Sequence, residues 1–269
     1  MGDQGEIDSG IQQYYSSVFD EDARLTTRSA QSALEFVRVQ ELVGTRIAAG
    51  SRVLDIGGAT GIHAKPLAAA GHHVTLVDPV EEQVVKARRH GTFQAEVGDA
   101  RHLRFAADTF DVALLFGPLY HLRKADDRLQ ALKEAARVVV PGGWIFAAAI
   151  PRFIHHAAVS LGKTPPTPYP QAWINTLESG TPTPGGRFPA GHFHTAEELE
   201  GELQTAGLTD IELHAIEGSA GFALERLPND EALLQAALTL VRRTGHLPGI
   251  RDLTNHLMAI ARTPTNAPH

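Results

Sequence analysis

Residues 52–61, Arg-Val-Leu-Asp-Ile-Gly-Gly-Ala-Thr-Gly, are the stretch that decides the fold. Val53 to Ile56 is a short apolar run typical of a buried strand, and the glycines that follow permit a tight turn. The segment from His63 to Ala70 predicts a helix that carries the chain back. A strand that ends in glycine and leads into a helix leaves backbone N–H groups facing a ligand. The stretch therefore predicts a nucleotide-cofactor site.

Two carboxylates narrow the choice of ligand. Asp78 ends the next apolar run, about 20 residues after the first strand, where a carboxylate can accept both hydroxyls of a ribose. Asp55 stands two residues before Gly57, where it would repel a pyrophosphate but suits a ligand with a positive end. The glycine spacing also departs from the dinucleotide pattern, because Ala59 replaces its central glycine. A nicotinamide oxidoreductase therefore remains as the weaker alternative.

The pattern resembles the first motif of class I S-adenosylmethionine (SAM) methyltransferases, D-x-G-x-G-x-G, with Asp55, Gly57, Ala59 and Gly61 at its positions. After a third strand at 93–97 comes Gly98-Asp99-Ala100, where the resemblance implies a carboxylate that accepts a hydrogen bond from the adenine amine. It implies SAM as cofactor and S-adenosylhomocysteine as product. The cofactor-binding residues that it implies are Asp55, Gly57, Gly58, Gly61, Asp78, Pro79, Asp99, Ala100, Phe116 and Tyr14.

The rest of the core alternates strands and helices. Phe110 to Phe116 predicts a fourth strand, and Pro-Gly-Gly at 141–143 predicts a turn into a strand over 144–150. Apolar side chains alternate over 211–215 in a way typical of an antiparallel edge strand. The order predicts the α/β, Rossmann-like sheet of a class I methyltransferase, mostly parallel, with ligands at the carboxyl ends of its strands.

We expect a single methyltransferase domain over 1–269. Its parts would be a helical lid (1–46), a SAM-binding core (47–150), a substrate cap (151–194), the end of the core (195–227) and C-terminal helices (228–262). In the lid, the resemblance makes Tyr14, Tyr15 and Arg24 candidates for the pocket, with ordinary helix packing as the alternative for the tyrosines.

The segment expected to form the cap is rich in proline and in large apolar side chains. Its prolines exclude a central strand, because proline removes an amide donor. Trp173, Ile174, Leu177, Phe188 and Phe193 are too apolar for a solvated linker, so we expect an ordered cap that sets substrate specificity. The sequence from Thr195 to Glu198 then predicts a capping box that opens a helix.

Composition limits the partners of the protein. With 269 residues, 43% of them hydrophobic, the chain can bury a full core. Without cysteine it has no disulfides and no thiolate nucleophile or ligand. The net charge of −7 argues against a nucleic-acid partner, and the basic cluster at 86–89 is better explained as a solvated helix face. A polar N-terminus and the lack of a long apolar run predict a cytoplasmic protein that does not enter a membrane.

The expected activity is transfer of a methyl group from SAM to an oxygen or nitrogen of a small molecule. An acceptor that carries a proton requires a base, and the candidates are His121, His192, His194 and Tyr15, with structural roles as the alternative for the histidines. We expect no metal, since an HxH pair without a third ligand is weak evidence for a site. Abundant alanine and arginine with few lysines favour a bacterial secondary metabolite as acceptor. The alternative function is a SAM-binding enzyme or sensor that uses the sulfonium without transferring a methyl group to another molecule. The sequence leaves open whether the protein is a monomer or a homodimer.

Overall fold

The computed structural model describes residues 29–160, 162, 169–182 and 191–265. Within this part the sheet has seven strands in the order β3-β2-β1-β4-β5-β7-β6. Strands β1 to β5 run parallel to one another, whereas β7 is antiparallel to both β5 and β6. The strands are β1 (Arg52–Ile56), β2 (His73–Asp78), β3 (Gln94–Val97), β4 (Phe110–Leu115), β5 (Val139–Ala149), β6 (Thr209–Ala215) and β7 (Leu257–Arg262).

Helices connect the parallel strands and flank the sheet. The α-helices of the described residues are α1 (Ala30–Gly44), α2 (Ala64–Ala69), α3 (Glu81–Arg88), α4 (Pro118–His121), α5 (Ala125–Val138), α6 (Ile154–Ser160), α7 (Gln171–Ser179), α8 (Ala196–Thr205), α9 (Gly221–Leu224) and α10 (Glu231–Thr244). A short 3₁₀ helix, Gly218–Ala220, precedes α9. None of these helices is long and apolar enough to cross a membrane.

Alternate side chains of the central strands enter two apolar layers, one on each face of the sheet. Leu54 and Ile56 of β1 enter one layer with α5 and α8, while Val53 enters the other with α1 and α2. Such two-sided burial explains why β1 is almost wholly apolar and why Asp55 is exceptional within it. The α/β, Rossmann-like fold with its antiparallel edge pair is confirmed.

Residues 257–262 correct the prediction of C-terminal helices over 228–262. Helix α10 occupies only part of that range, and Leu257–Arg262 is strand β7, inserted between β5 and β6. The prediction failed because β7 is covered on both faces. Its sequence is therefore a continuous apolar run, which lacks the alternation that distinguishes a strand from a helix.

One boundary also differs from expectation. Pro-Gly-Gly at 141–143 lies inside β5 rather than in a turn, because its backbone pairs with Thr263. The register of β5 with β4 jumps there from Val139 to Trp144, and Gly142 adopts φ +73°. The last helix, α10, is capped by Asp230, which accepts a hydrogen bond from the N–H of Leu233. The capping box of Thr195 and Glu198 at the start of α8 is confirmed.

The described part of the expected cap packs on the carboxyl end of β5. Phe193 contacts Ile150 and Tyr120, and His155 stacks on Trp173 with ring centres 4.8 Å apart. Arg152 donates hydrogen bonds to Glu198, which joins the start of the cap to α8. Most of the expected lid, with Tyr14, Tyr15 and Arg24, lies outside the described residues, as does Phe188 of the cap.

Candidate active site

The glycine loop after β1 is shaped by backbone geometry and by close neighbours. Gly57 has φ +74°, and its N–H donates to the carbonyl of Val77 at 2.7 Å. A Cβ at Gly58 would lie 2.6 Å from Oδ2 of Asp55. A Cβ at Gly61, with φ +87°, would collide with the ring of Phe93. The loop therefore requires glycine for its turn and its packing.

Asp55 is a carboxylate held out of solvent at the tip of β1. It is 1% exposed, and its Oδ2 has no hydrogen-bond partner among the described residues. Burial, together with the neighbouring charge of Asp78, raises the pKa of Asp55 to about 7. An isolated buried carboxylate is costly, so its presence here points to a cationic ligand group.

Asp78, at the tip of β2, fixes the loop as well as facing the cavity. Its Oδ2 accepts a hydrogen bond from the N–H of Ala59, and its Oδ1 accepts one from the N–H of Val80, both at 2.9 Å. The side chain is buried within the turn that it spans. Asp78 therefore couples the glycine loop to the end of β2, which sequence reasoning did not anticipate.

Asp99 follows β3 and forms a hydrogen-bonded ion pair with Arg101. Nε of the guanidinium lies 3.0 Å from each carboxylate oxygen, and a terminal nitrogen lies 2.6 Å from Oδ2. Burial alone would raise the pKa of Asp99, but these hydrogen bonds outweigh it and hold the pKa below its usual value. The carboxylate is thus charged and fixed at the rim of the site.

These elements enclose a cavity of about 210 Å³ at the carboxyl edge of the sheet. Of the residues predicted to bind cofactor or act as base, its walls contain Gly57, Asp78, Pro79, Asp99, Ala100, Phe116 and His121. Sequence reasoning did not select four of the other wall residues, Val80, Gln83, Arg101 and Leu122. Val80, Gln83 and Arg101 lie in the turns and helix start that follow β2 and β3, and Leu122 follows the short helix after β4, so their place in the fold was the available signal.

A second cavity of about 40 Å³ adjoins the first. The two share the wall residues Gly57, Ala59, Phe116 and Tyr120. Asp55 and Gly58 face this smaller space, together with three polar side chains not selected from the sequence, Glu35, His63 and His256. Gly61 lies in the wall of neither cavity and acts on the loop through its packing against Phe93.

Among the predicted bases, His121 lies in the wall of the larger cavity. Burial lowers the pKa of His121 to about 4, so its ring is neutral near pH 7. Tyr120 beside it donates a hydrogen bond from its hydroxyl to the carbonyl of Phe116. This bond ties the short helix α4 to the end of β4.

His192 and His194 are in the wall of neither cavity. His194 is fully buried, with Nε2 3.2 Å from Oε2 of Glu202, and Glu202 also pairs with Arg128 at 2.6 Å. Burial and the neighbouring His194 lower the pKa of His192 to about 4. The structure thus joins this segment to α8 and α5, and a catalytic role for either histidine stays a prediction.

A polar cluster lies beside the smaller cavity, between α1 and the antiparallel strands. It consists of Glu35, Glu217 and His256, each with one potential ligand atom within 4.8 Å of the others. Glu217 is fully buried, and its Oε1 lies 2.6 Å from Nδ1 of His256. The sequence did not reveal this cluster, because its members are far apart along the chain.

Strand order and acidic strand tips together define an α/β protein that binds a nucleoside cofactor at the carboxyl edge of its sheet. A family model described as a methyltransferase domain matches residues 54–147, which span β1 to β5. Residues 54–147 therefore carry a methyltransferase domain of the SAM-dependent class that the resemblance predicted, and the cofactor of such domains is SAM.

Individual relatives agree with this assignment. The ubiquinone biosynthesis O-methyltransferase of Azorhizobium caulinodans is 31% identical over 61% of this chain and 61% of its own length. A Thermotoga maritima SAM-dependent methyltransferase, described as a possible histamine N-methyltransferase, superposes with TM-score 0.57 at 19% identity over 86% of this chain and 92% of its own. A Haemonchus contortus phosphoethanolamine N-methyltransferase in complex with SAM gives TM-score 0.57 at 16% identity over 94% of this chain and 60% of its own.

The curated relatives are longer than the parts of them that this chain matches. The chain spans between 38% and 61% of the length of those that it matches first. At 15% to 21% identity, the solved structures establish the fold alone.

The residues present fit SAM. Asp55 offers an unsatisfied buried oxygen to a cationic group, and Asp78 and Asp99 offer carboxylates to a sugar and a base. The glycine loop between them packs so closely that a Cβ at Gly58 would collide with the side chains of Asp55 and Leu76.

Proposed function

We propose that this protein transfers a methyl group from SAM to an oxygen or nitrogen atom of a small molecule. The observation that carries the proposal is the shared wall of the two cavities. The larger cavity holds the acidic residues that suit an adenosyl group, and the smaller one continues past Phe116 and Tyr120. Cofactor and acceptor would then meet at that wall.

Methyl transfer from SAM requires mainly that the protein position the acceptor atom. SAM supplies an electrophilic methyl group on sulfur, so alignment of the acceptor atom and exclusion of water provide most of the acceleration. The apolar side chains of Phe116, Ala148 and Ile216 line the smaller cavity and would exclude water there. Phe193 packs behind them on Tyr120 and Ile150.

Oxygen is the acceptor atom that the curated relatives favour. The Azorhizobium caulinodans relative is named for O-methylation in ubiquinone biosynthesis. On compositional grounds the acceptor here is a secondary metabolite, and the net charge of −7 disfavours nucleic acid. The expected cap, whose described part carries Trp173 and Phe193, would select it.

We assign His121 to the wall of the cofactor cavity rather than to proton transfer. A pKa of about 4 makes its ring a weak proton acceptor at neutral pH. Gly191 packs on the backbone of Tyr120 and His121, so the segment carrying His192 supports this wall from outside. Tyr15, outside the described residues, stays a candidate contact from the lid.

The proposal is tested by calorimetry followed by a turnover assay. We expect S-adenosylhomocysteine to bind and NADH not to bind, since the acidic strand tips disfavour a pyrophosphate. With radiolabelled SAM and a panel of catechols, phenols and primary amines, label should move to an acceptor. Binding of NADH in place of S-adenosylhomocysteine would refute the family assignment. Consumption of SAM without label in any acceptor would favour another use of the sulfonium.

A further inference from the structure

We propose that His256, oriented by Glu217, is the general base that takes the proton from the acceptor atom. The inference rests on the proposed methyl transfer and adds a residue that the methyltransferase motif does not include. The matched family model ends at residue 147, far before either side chain.

His256 stands at the carboxyl edge of the sheet because β7 is antiparallel. Leu257 pairs with Ala149 at the end of β5 and with Ala215 at the end of β6, so the residue before it emerges where the parallel strands end. The His256 side chain is 15% exposed and lines the smaller cavity with Asp55 and Phe116. It therefore lies beside the wall that the cofactor cavity shares.

Glu217 fixes the tautomer of the ring. A carboxylate oxygen accepts hydrogen bonds, so at 2.6 Å from Oε1 the Nδ1 atom of His256 carries the proton. In the neutral ring the lone pair then belongs to Nε2, which is the form that a base requires. The other oxygen, Oε2, also accepts the backbone N–H of His256 at 2.9 Å, so one carboxylate holds both main chain and ring.

The carboxylate is itself held rigidly. Glu217 is fully buried, and it accepts further hydrogen bonds from Nε2 of Gln31 and from Oγ1 of Thr254, each at 2.9 Å. These donors come from α1 and from the loop before β7. Together these hydrogen bonds fix the orientation of the Glu217 carboxylate toward the ring of His256.

Glu35 supplies a second negative charge to the same ring. Its Oε2 lies 3.8 Å from Nδ1 of His256, and Nε2 of Gln31 bridges it to Glu217. Both carboxylates lie on the Nδ1 side of the ring, so they can stabilise the positive charge that the ring gains when Nε2 accepts a proton.

The other histidine of the smaller cavity has the opposite tautomer. Nδ1 of His63 lies 3.0 Å from Nε2 of Gln40, and an amide nitrogen only donates. Nδ1 of His63 is therefore the acceptor, and its Nε2 carries the proton. His63 also stacks on Phe36, so it suits a wall or a donor rather than a base.

In the proposed step, the bond between the acceptor oxygen or nitrogen and the methyl carbon forms while the bond between the methyl carbon and sulfur breaks. The acceptor proton moves to Nε2 of His256, so the positive charge passes from sulfonium to imidazolium. The imidazolium then releases its proton to water, and the products are the methylated acceptor and S-adenosylhomocysteine.

The first test is independent of the acceptor and uses nitrogen-15 NMR of the histidine rings in the full-length protein. We expect His256 as the Nδ1–H tautomer near pH 7.5 and a mixture of tautomers in Glu217→Gln. His214, which pairs with Glu212 at 2.9 Å and lines neither cavity, provides the control variant His214→Gln. An Nε2–H tautomer of His256 in the unmodified protein would overturn the proposal.

The second test uses turnover with the acceptor found in the panel. His256→Gln should lower kcat by about 10²- to 10⁴-fold, with KM for SAM and the affinity for S-adenosylhomocysteine within about twofold of the parent. With a phenolic acceptor, its residual rate should rise about tenfold per pH unit up to the pKa of the phenol, because hydroxide-driven ionisation replaces the base. Glu217→Gln should show a smaller loss of kcat, and His214→Gln none.

Three results would contradict the inference. One is a kcat for methyl transfer in His256→Gln that equals that of the unmodified protein. The proposed function would then stand, but His256 would not be the base. Another is a loss of affinity for S-adenosylhomocysteine in His256→Gln that is as large as its loss of kcat. That result would show that His256 binds the cofactor. The third is tight binding of Mg²⁺, Mn²⁺ or Zn²⁺ alone that His256→Gln abolishes, which would make the cluster a metal site.

Discussion

Asp55→Asn should raise the stability of the ligand-free protein and lower its affinity for the cofactor. The pKa of Asp55 rises from 3.8 to about 7 on folding, mainly through burial. A raised carboxylate pKa means that the folded state binds more protons than the unfolded state between those values, so Asp55 lowers stability as pH rises through that window. At about 1.36 kcal/mol per unit, the full penalty above pH 7 is on the order of 4 kcal/mol.

Asparagine removes that penalty but buries an amide, at a cost of about 1–3 kcal/mol. We therefore expect the ligand-free variant to be about 1–3 kcal/mol more stable than the parent at pH 8, with the advantage lost near pH 4. Urea unfolding followed by circular dichroism at both pH values measures it. Equal pH dependence in parent and variant would show that Asp55 keeps an ordinary pKa in the folded state.

The same carboxylate predicts how cofactor binding depends on pH. If the α-ammonium of S-adenosylhomocysteine requires ionised Asp55, a pKa of about 7 leaves half of the sites competent at pH 7 and about 1% at pH 5. The apparent Kd should then rise about 50-fold over that interval in the parent and stay flat, at a weaker value, in Asp55→Asn. Calorimetry in two buffers with different ionisation enthalpies should detect proton release on binding. A parent Kd that does not change with pH would refute this reasoning.

Three further changes test the loop and the cap. Gly61→Ala should destabilise the protein by more than about 3 kcal/mol, because its Cβ would enter an aromatic ring, whereas Gly71→Ala, with a similar φ of +91° and open space, should cost only about 1–2 kcal/mol in thermal unfolding. Glu202→Gln should cost about 3–5 kcal/mol, since it leaves the buried Arg128 without its carboxylate; an unchanged Tm would contradict this. Asp78→Ala should weaken S-adenosylhomocysteine binding by about 1.5–3 kcal/mol in calorimetry, and unchanged affinity would remove Asp78 from the site.

The fold and the acidic strand tips were predictable because their signals are local. Asp55 and Asp78 each end an apolar run, and glycines mark the turn between β1 and α2. Such patterns report the carboxyl edge of a parallel sheet without knowledge of long-range contacts. Strand β7 carried no comparable signal, because burial on both faces removed its alternation.

The cluster around His256 could not be predicted from the sequence, for a different reason. Glu217 and His256 lie 39 positions apart, and Gln31 and Glu217 lie 186 apart. Only the antiparallel pairing of β6 with β7 and the docking of α1 bring them together. His192 and His194 show the opposite case. Their local pattern suggested a site, but His194 contacts Glu202 of α8 and lines neither cavity.

The insertion of β7 between β5 and β6 also affects the order of events during synthesis. A ribosome releases β5 and β6 before the strand that must separate them, so the sheet cannot close until residues 257–262 have emerged. Until then the unpaired edges of β5 and β6 are exposed to non-native partners. His256 arrives with that strand, so the wall of the smaller cavity is completed last, after strands β1 to β5 have been released.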